Sequence, residues 1–459
     1  MPNAIAFLAL LSWPVVAGAI FAALPVGRAL VVSLLAAYLL LPPPPAVFDF
    51  PLLPPLSKES IPTIVAILYC LLRARAPIRW LPETTIGRVL VAVFVLSPFM
   101  TVLTNQDPVF YGEVSLPALR FREAVSICIQ QALFVAPMLL ARHFLAEEED
   151  QRDILVALMV AGLAYSLPAL VEVRLSPQLN AWIYGYYQHS FAQAIRFGGY
   201  RPLVFLYHGL WLAFLLLTTA FAALTLMRAE RSRAMVYGGA GIYLLVVLFL
   251  CKSTGAILYA AALLPLVLIL GRRWQLHAAC AMAFLALAYP ILKGADLVPV
   301  DTMLTLANDI DPDRAASLRF RFDNEDILLD RAYERPVFGW GSWGRNHLLD
   351  PVTGAIVTVT DGRWIIVIGV FGWLGFLAEF GLLTLPVFLM WWRGSRGDAA
   401  ALSPYAGAIA LLLAVNVVDL IPNATITPVT FLLAGALLGY AERYRAPAPA
   451  RRAVFETVL

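Results

Sequence analysis

Long apolar runs dominate the chain, and one polar stretch interrupts them. Apolar segments at 4–24, 28–41, 61–73, 86–104, 122–144, 153–172, 203–227, 234–251, 254–271, 275–293, 364–392, 400–419 and 424–441 read as membrane helices. About 20 apolar residues cover a hydrocarbon core. The runs at 28–41 and 61–73 are short for a crossing, so about twelve or thirteen helices are expected. The polar stretch spans 294–363 and interleaves Arg319, Arg321, Arg331, Arg335, Arg345 and Arg363 with many Asp and Glu residues. It also carries ERPVFGWGSWGRN, from Glu334 to Asn346. The pattern divides the chain into a helix bundle over 1–293, a large loop of short helices over 294–363, and further helices with a short tail over 364–459.

Composition supports an all-α polytopic membrane protein. Of 459 residues, 61% are hydrophobic and 14% charged, against about 45–50% and about 25% in soluble domains. No cluster of Lys and Arg sits on a soluble domain, which argues against nucleic acid as a partner and leaves membrane lipids as the solvent. Cys70, Cys128, Cys251 and Cys280 lie in apolar runs and read as small hydrophobes. The first apolar run lacks a positive leader and reads as a retained anchor.

Arginines set the expected orientation. Arg73, Arg75, Arg79 and Arg88, then Arg228, Arg231 and Arg233, then Arg272 and Arg273, then Arg393 and Arg396, and finally the tail arginines Arg443, Arg445, Arg451 and Arg452 mark alternate loops. These loops are expected in the cytoplasm, with the insert 294–363 on the opposite side. Ten spans before the insert would put the N-terminus beside it; if one of the first three segments only dips into the membrane, the N-terminus is cytoplasmic.

Smaller features have local readings. Pro42 to Pro45 predicts a stiff polyproline linker. Glu147 to Asp150 suits a helix N-terminus. Trp182, Tyr184, Tyr186 and Tyr187 predict an interfacial belt or a sugar-stacking platform. Asp309, Asp311 and Asp313 fit helix capping better than a calcium loop. The five histidines show no metal-binding spacing, so no metal and no cofactor are expected. Glu379, within an apolar span, is a candidate functional group or an inward-facing structural one.

Cations gather on the side of the insert. Arg196 and Arg201 sit in RFGGYRP, Lys252 in CKSTG, Arg319 and Arg321 in SLRFRFDNED, and Arg345 in WGRN. Three separated loops supplying such groups suit a diphosphate, whose oxygens guanidinium forks bind in pairs.

The pieces RFGGYRPLVFLYHGLWLAFLL, CKSTGAILYA, ERPVFGWGSWGRN and DGRWIIVIGVFGWLGFLAEFGLL, placed around one large loop over 196–385, resemble the O-antigen ligase and polysaccharide polymerase superfamily of membrane glycosyltransferases. The resemblance is nearest to exopolysaccharide polymerases. It implies a protein of the bacterial inner membrane whose active site faces the periplasm. Such enzymes pass glycan from a polyprenyl-diphosphate-linked oligosaccharide to a hydroxyl of an acceptor glycan without a metal. Flippase and chain-length proteins would be its partners. Arg196 or Arg201, Lys252, and Arg319 or Arg321 would meet the diphosphate, with Arg345 a further candidate. The family's His-Asn pair aligns with Asp361-Gly362, so the family histidine is absent; Asp361 becomes the candidate base and His347 the alternative. Ligation of finished glycan to lipid A core or protein would use the same donor. A transporter of lipid-linked sugar is the rival from another class, although no internal repeat is evident.

Overall fold

The structure, a computed structural model, describes residues 1–50, 53–196, 198–396 and 401–444. It is mainly helical. In chain order α1 (Ala4–Ala23), α2 (Val26–Leu40), α3 (Ser60–Arg73), α4 (Thr85–Leu103), α5 (Phe121–Phe144) and α6 (Glu148–Leu175) lead to a short α7 (Leu179–Tyr184). Then come α8 (Gly209–Ala229), α9 (Ala234–Leu250), α10 (Thr254–Leu268) and α11 (Arg272–Gly294). The insert holds α12 (Val300–Ile310) and α13 (Pro312–Tyr333), and α14 (Arg363–Gly394), α15 (Ala406–Asp419) and α16 (Pro428–Arg443) close the bundle. Eight of these are long and apolar enough to cross a membrane, and α2, α3, α10 and α15 are shorter apolar helices. The chain is therefore a multi-pass membrane protein. At about 1.5 Å per residue, the 15 residues of α2 and the 14 of α3 fall short of a hydrocarbon core about 30 Å thick.

The arginine-bearing loops do share one face. Arg142 pairs with Glu442 and donates to Arg79 O and to Leu81 O. Arg443 pairs with Glu147, Arg28 with Asp153, and Arg152 with Glu230. Arg228 donates to Val267 O and Leu270 O, Arg272 to Leu402 O, and Arg393 to Ala441 O and Glu442 O. Several of these acceptors are carbonyls at or just past helix C-termini, which lack helical partners and attract cations. Arg445, Arg451 and Arg452 lie outside the described residues.

The opposite face carries the insert and the start of α1. Asn3 N donates to Tyr184 O at 2.9 Å, and Tyr184 in turn bonds Leu40 O at the end of α2. The N-terminus thus lies on the face of the insert, as ten alternating helices require. Tyr184 and Tyr186 are buried anchors, Tyr186 holding Pro43 O, so neither offers a stacking face, whereas Trp182 is exposed. The tetraproline is no stiff spacer either: the chain turns there, with Ala46 N bonded to Pro43 O. Asp311 caps α13 and the Glu147–Asp150 run forms a capping box, as their positions suggest. Two small hairpins, β1–β2 (Val109–Tyr111, Val114–Leu116) and β3–β4 (Ile195–Arg196, Gly199–Tyr200), were not legible in the apolar pattern.

The largest departure from a simple span is in α14. Gly372 takes φ 69° and ψ −173°, breaking the helix inside an apolar segment. The run 336–341 fills the break. Trp340 N and Gly341 N donate to Gly369 O and Val370 O at 2.8 and 2.9 Å. Trp373 N and Leu374 N donate to Pro336 O and Val337 O at 2.8 and 3.3 Å. Backbone left bare at this depth costs several kcal/mol per group, so irregular chain is tolerated only where protein satisfies it. The approach is close: a Cβ on Gly372 would lie 2.3 Å from Val337 O, and one on Gly339 2.5 Å from Val370 O. The run 336–341 of the polar insert is thus woven into the bundle.

Candidate functional site

The helix break creates the first element of the site. Residues 363 and 379 are 16 apart, about 24 Å along a straight helix, beyond the reach of two side chains. Yet Arg363 Nε and Nη2 donate to Glu379 Oε1 and Oε2 at 2.6 and 2.7 Å. The break at Gly372 must therefore fold the first half of α14 back on the second. Glu379 is 1% exposed, so its carboxylate is tolerated only because the bidentate guanidinium matches it. Arg363 was not singled out as a site residue from the sequence; its pairing with the in-span acid Glu379 was the available signal.

Arg363 lines a cavity of about 590 Å³. Its walls come from the chain before α3 (Ser57, Glu59), from α5 (Gln130, Gln131), from the loop 342–347 and from 424–428. Tyr207 and Trp211 close one side, and the Tyr207 hydroxyl donates to Glu59 Oε1 at 2.8 Å. His347 lines the same cavity; its Nδ1 sits 3.0 Å from Thr358 Oγ1. Burial lowers the His347 pKa from the ordinary value, with the Thr358 contact working against that shift. The ring is thus neutral near pH 7 and able to accept a proton.

Beside the cavity lies the cation cluster. The β3–β4 hairpin carries Arg196 and leads to Arg201, the α9–α10 turn carries Lys252, and α13 carries Arg321. Lys252 takes φ 54°, which turns its Nζ onto Arg196 O at 3.2 Å. Arg201 donates weakly to Lys252 O at 3.4 Å, and its buried Nε has no partner among the described residues. Gly199 and Gly209 make the room: a Cβ would lie 2.2 Å from Lys252 Nζ and from Arg201 Cδ respectively. Burial, then Arg196, pushes the Arg201 pKa down to about 10, which still leaves it charged at neutral pH. His208 caps α8 through Nδ1, lies against His189 with the two rings tilted by 58°, and is pushed down to about 3 by burial, then by His189 and the arginines.

An unforeseen acid holds this loop. Glu172, buried near the end of α6, accepts from Leu179 N, Leu203 N and Val204 N at 3.0, 2.7 and 2.7 Å. It fixes Val204 at φ 55° and so the path from Arg201 to His208. An acid near the end of an apolar run was the only trace of it in the sequence.

The other site residues expected from sequence fall out differently. Asp361 does not cap α14, whose N-cap is Gly362; it pairs with Arg321, Nε to Oδ2 at 3.3 Å, inside the cation cluster. Arg319 is exposed on α13; two residues apart, it and Arg321 project about 200° from each other. Arg345 is wholly buried and bonds Trp340 O, Pro117 O, Asp107 O and Asn105 Oδ1 at 2.7 to 3.3 Å. It fastens the loop to the end of α4 and presents no edge to a phosphate. Of the six cations expected from sequence to meet a diphosphate, the structure brings together Arg196, Arg201, Lys252 and Arg321. Among the described residues no group of three or more His, Cys, Asp or Glu is placed to hold a metal ion.

The chain matches no known protein family, and no curated protein is significantly similar to it.

Proposed function

We propose that the protein is a membrane glycosyltransferase that takes glycan from a polyprenyl-diphosphate donor and passes it to a sugar hydroxyl, extending an exopolysaccharide or O-antigen chain. One observation carries the reading: Arg196, Arg201, Lys252 and Arg321, from three separate segments, gather beside a cavity of mixed polar and apolar lining large enough for sugar residues. Charge develops on the diphosphate as the anomeric C–O bond breaks, and preorganised cations in a partly dry site stabilise that charge most. The acceptor oxygen attacks the anomeric carbon and the diphosphate leaves with the bonding pair. The acceptor proton passes to a base, for which His347 is the better placed candidate because it is neutral and lines the cavity. Asp361, tied to Arg321, holds a cation in place and stands as the second candidate. The site would face the periplasm of the inner membrane.

Lipid and glycan profiles of a deletion strain carrying wild-type or Lys252→Ala copies test this. Accumulation of single carrier-linked repeats, with loss of long polymer, is expected from the deletion and the variant. Long polymer left on its carrier would instead indicate ligation to another acceptor, and an unchanged profile would overturn the proposal.

A further inference from the structure

Two tryptophans of one loop differ in a way that packing does not explain. Trp340 is 6% exposed, with the Arg331 guanidinium 3.4 Å above its ring and its Nε1 bonded to Arg331 O. Trp343, three residues on, is 61% exposed and lines the cavity. It also takes φ 66°, between Gly341 at 78° and Gly344 at 72°. A bulky residue in the left-handed region is strained. An exposed indole recovers little of that by burial, so a ligand is the natural reason for holding the ring there.

The surroundings define the ligand. Gln130, Gln131 and Asn346 present amides to the cavity, each offering both donors and acceptors. An aromatic face with convergent amides matches a sugar ring, which shows C–H groups on one face and hydroxyls around its edge. Charge narrows the class further. Arg363 is matched by Glu379. Glu59 accepts the Tyr207 hydroxyl and, among the described residues, forms no contact ion pair; Lys58 and Arg363 act on it at longer range. Glu59 is therefore the lining carboxylate not held in a contact ion pair, while the lining guanidinium of Arg363 is matched by Glu379 and the other cations lie in the neighbouring cluster.

We propose that this cavity is an acceptor-glycan subsite that takes neutral or amino-bearing sugars and rejects uronates, with Trp343 as the stacking platform and Glu59 as the source of the preference. The proposal rests on the glycosyl-transfer reading and specifies its acceptor side.

The test uses the full chain in nanodiscs, with neutral, amino-bearing and uronate tetrasaccharides as probes and tryptophan emission as readout. Inorganic diphosphate binding is measured on the same samples. Neutral and amino-bearing probes should bind at least tenfold more tightly than the uronate. Glu59→Gln should bring the uronate within about threefold of the neutral probe. Trp343→Asn, a residue at ease in the left-handed region, should lose sugar binding while keeping diphosphate binding. Isothermal titration replaces emission for that variant. Equal or tighter binding of the uronate, or neutral-sugar binding undiminished in Trp343→Asn, overturns the subsite. Absence of sugar binding alongside intact diphosphate binding overturns the subsite alone; loss of both in folded protein overturns the transfer reading with it.

Discussion

Two arginine-bearing regions on the same face of the bundle use their charge in opposite ways. Around the run 334–346, Arg331 lies over Trp340 and pairs with Glu334, while Arg345 is enclosed by carbonyls. Around the β3–β4 hairpin, Arg196, Arg201 and Lys252 crowd one another, and Asp361 on Arg321 is the carboxylate seen in an ion pair among the described residues there. The first region satisfies its own backbone; the second brings like charges together. Like charges held together disfavour the folded chain, and an anionic ligand relieves that cost. On the proposed reading, the difference separates arginine as a structural fork from arginine as a binding group.

The strongest way to break this comparison is at the helix break. Gly372→Ala must place a Cβ against Val337 O at positive φ, and should cost about 3 kcal/mol or more. Thermal unfolding in detergent should show it as a large fall in Tm or as loss of folded protein. Next comes the buried pair. Glu379→Ala strands Arg363 and should cost about 3–5 kcal/mol. The double variant Arg363→Met/Glu379→Leu should lose less, as a double-mutant comparison of Tm would reveal.

The comparison sharpens at single arginines. Arg321→Ala should lower glycan transfer by about 10²–10³-fold, the effect of losing one preorganised donor, with little change in Tm. Arg345→Ala should do the reverse, lowering Tm by leaving several buried acceptors without a donor. Arg319→Ala should change neither, because its side chain points away from the cluster.

A further effect concerns pH. His208 is pushed down to about 3 in the folded protein, against about 6.5 in an unfolded chain. As pH falls below about 6.5 the unfolded chain binds the proton first, so stability is full above that value and declines from there toward pH 3. His208→Asn keeps an N-cap acceptor for α8 and should flatten the acid limb of a Tm–pH profile.

Much of this was legible in the sequence, for stated reasons. Apolar length marks spans, and arginine spacing marks one face, because both reflect a solvent that changes along the membrane normal. The convergence of Arg196, Arg201, Lys252 and Arg321 was also visible as a recurrence of cations on alternate loops. What was hidden depends on depth and direction. Arg345 and Arg321 share a residue type and a segment, but only packing shows that one is enclosed. Arg319 and Arg321 look equivalent until the helix turns them apart. The glycines of GWGSWG read as a motif, whereas the first of them, Gly339, lets the loop backbone meet a broken helix. Glu172 and Glu59 gave little local signal, since each acts on chain more than 30 residues or more than 140 residues away.

The central claim is that the cation cluster receives a diphosphate leaving group during glycan transfer. The direct measurement is turnover of a polyprenyl-diphosphate-linked oligosaccharide by the purified chain, following released polyprenyl diphosphate and the elongated glycan together. The account predicts that both appear in equal amounts, and that both fall together in Arg201→Lys and Arg321→Ala with the fold intact. Undiminished turnover in those variants, or no turnover by folded wild-type protein supplied with donor and acceptor, would contradict it.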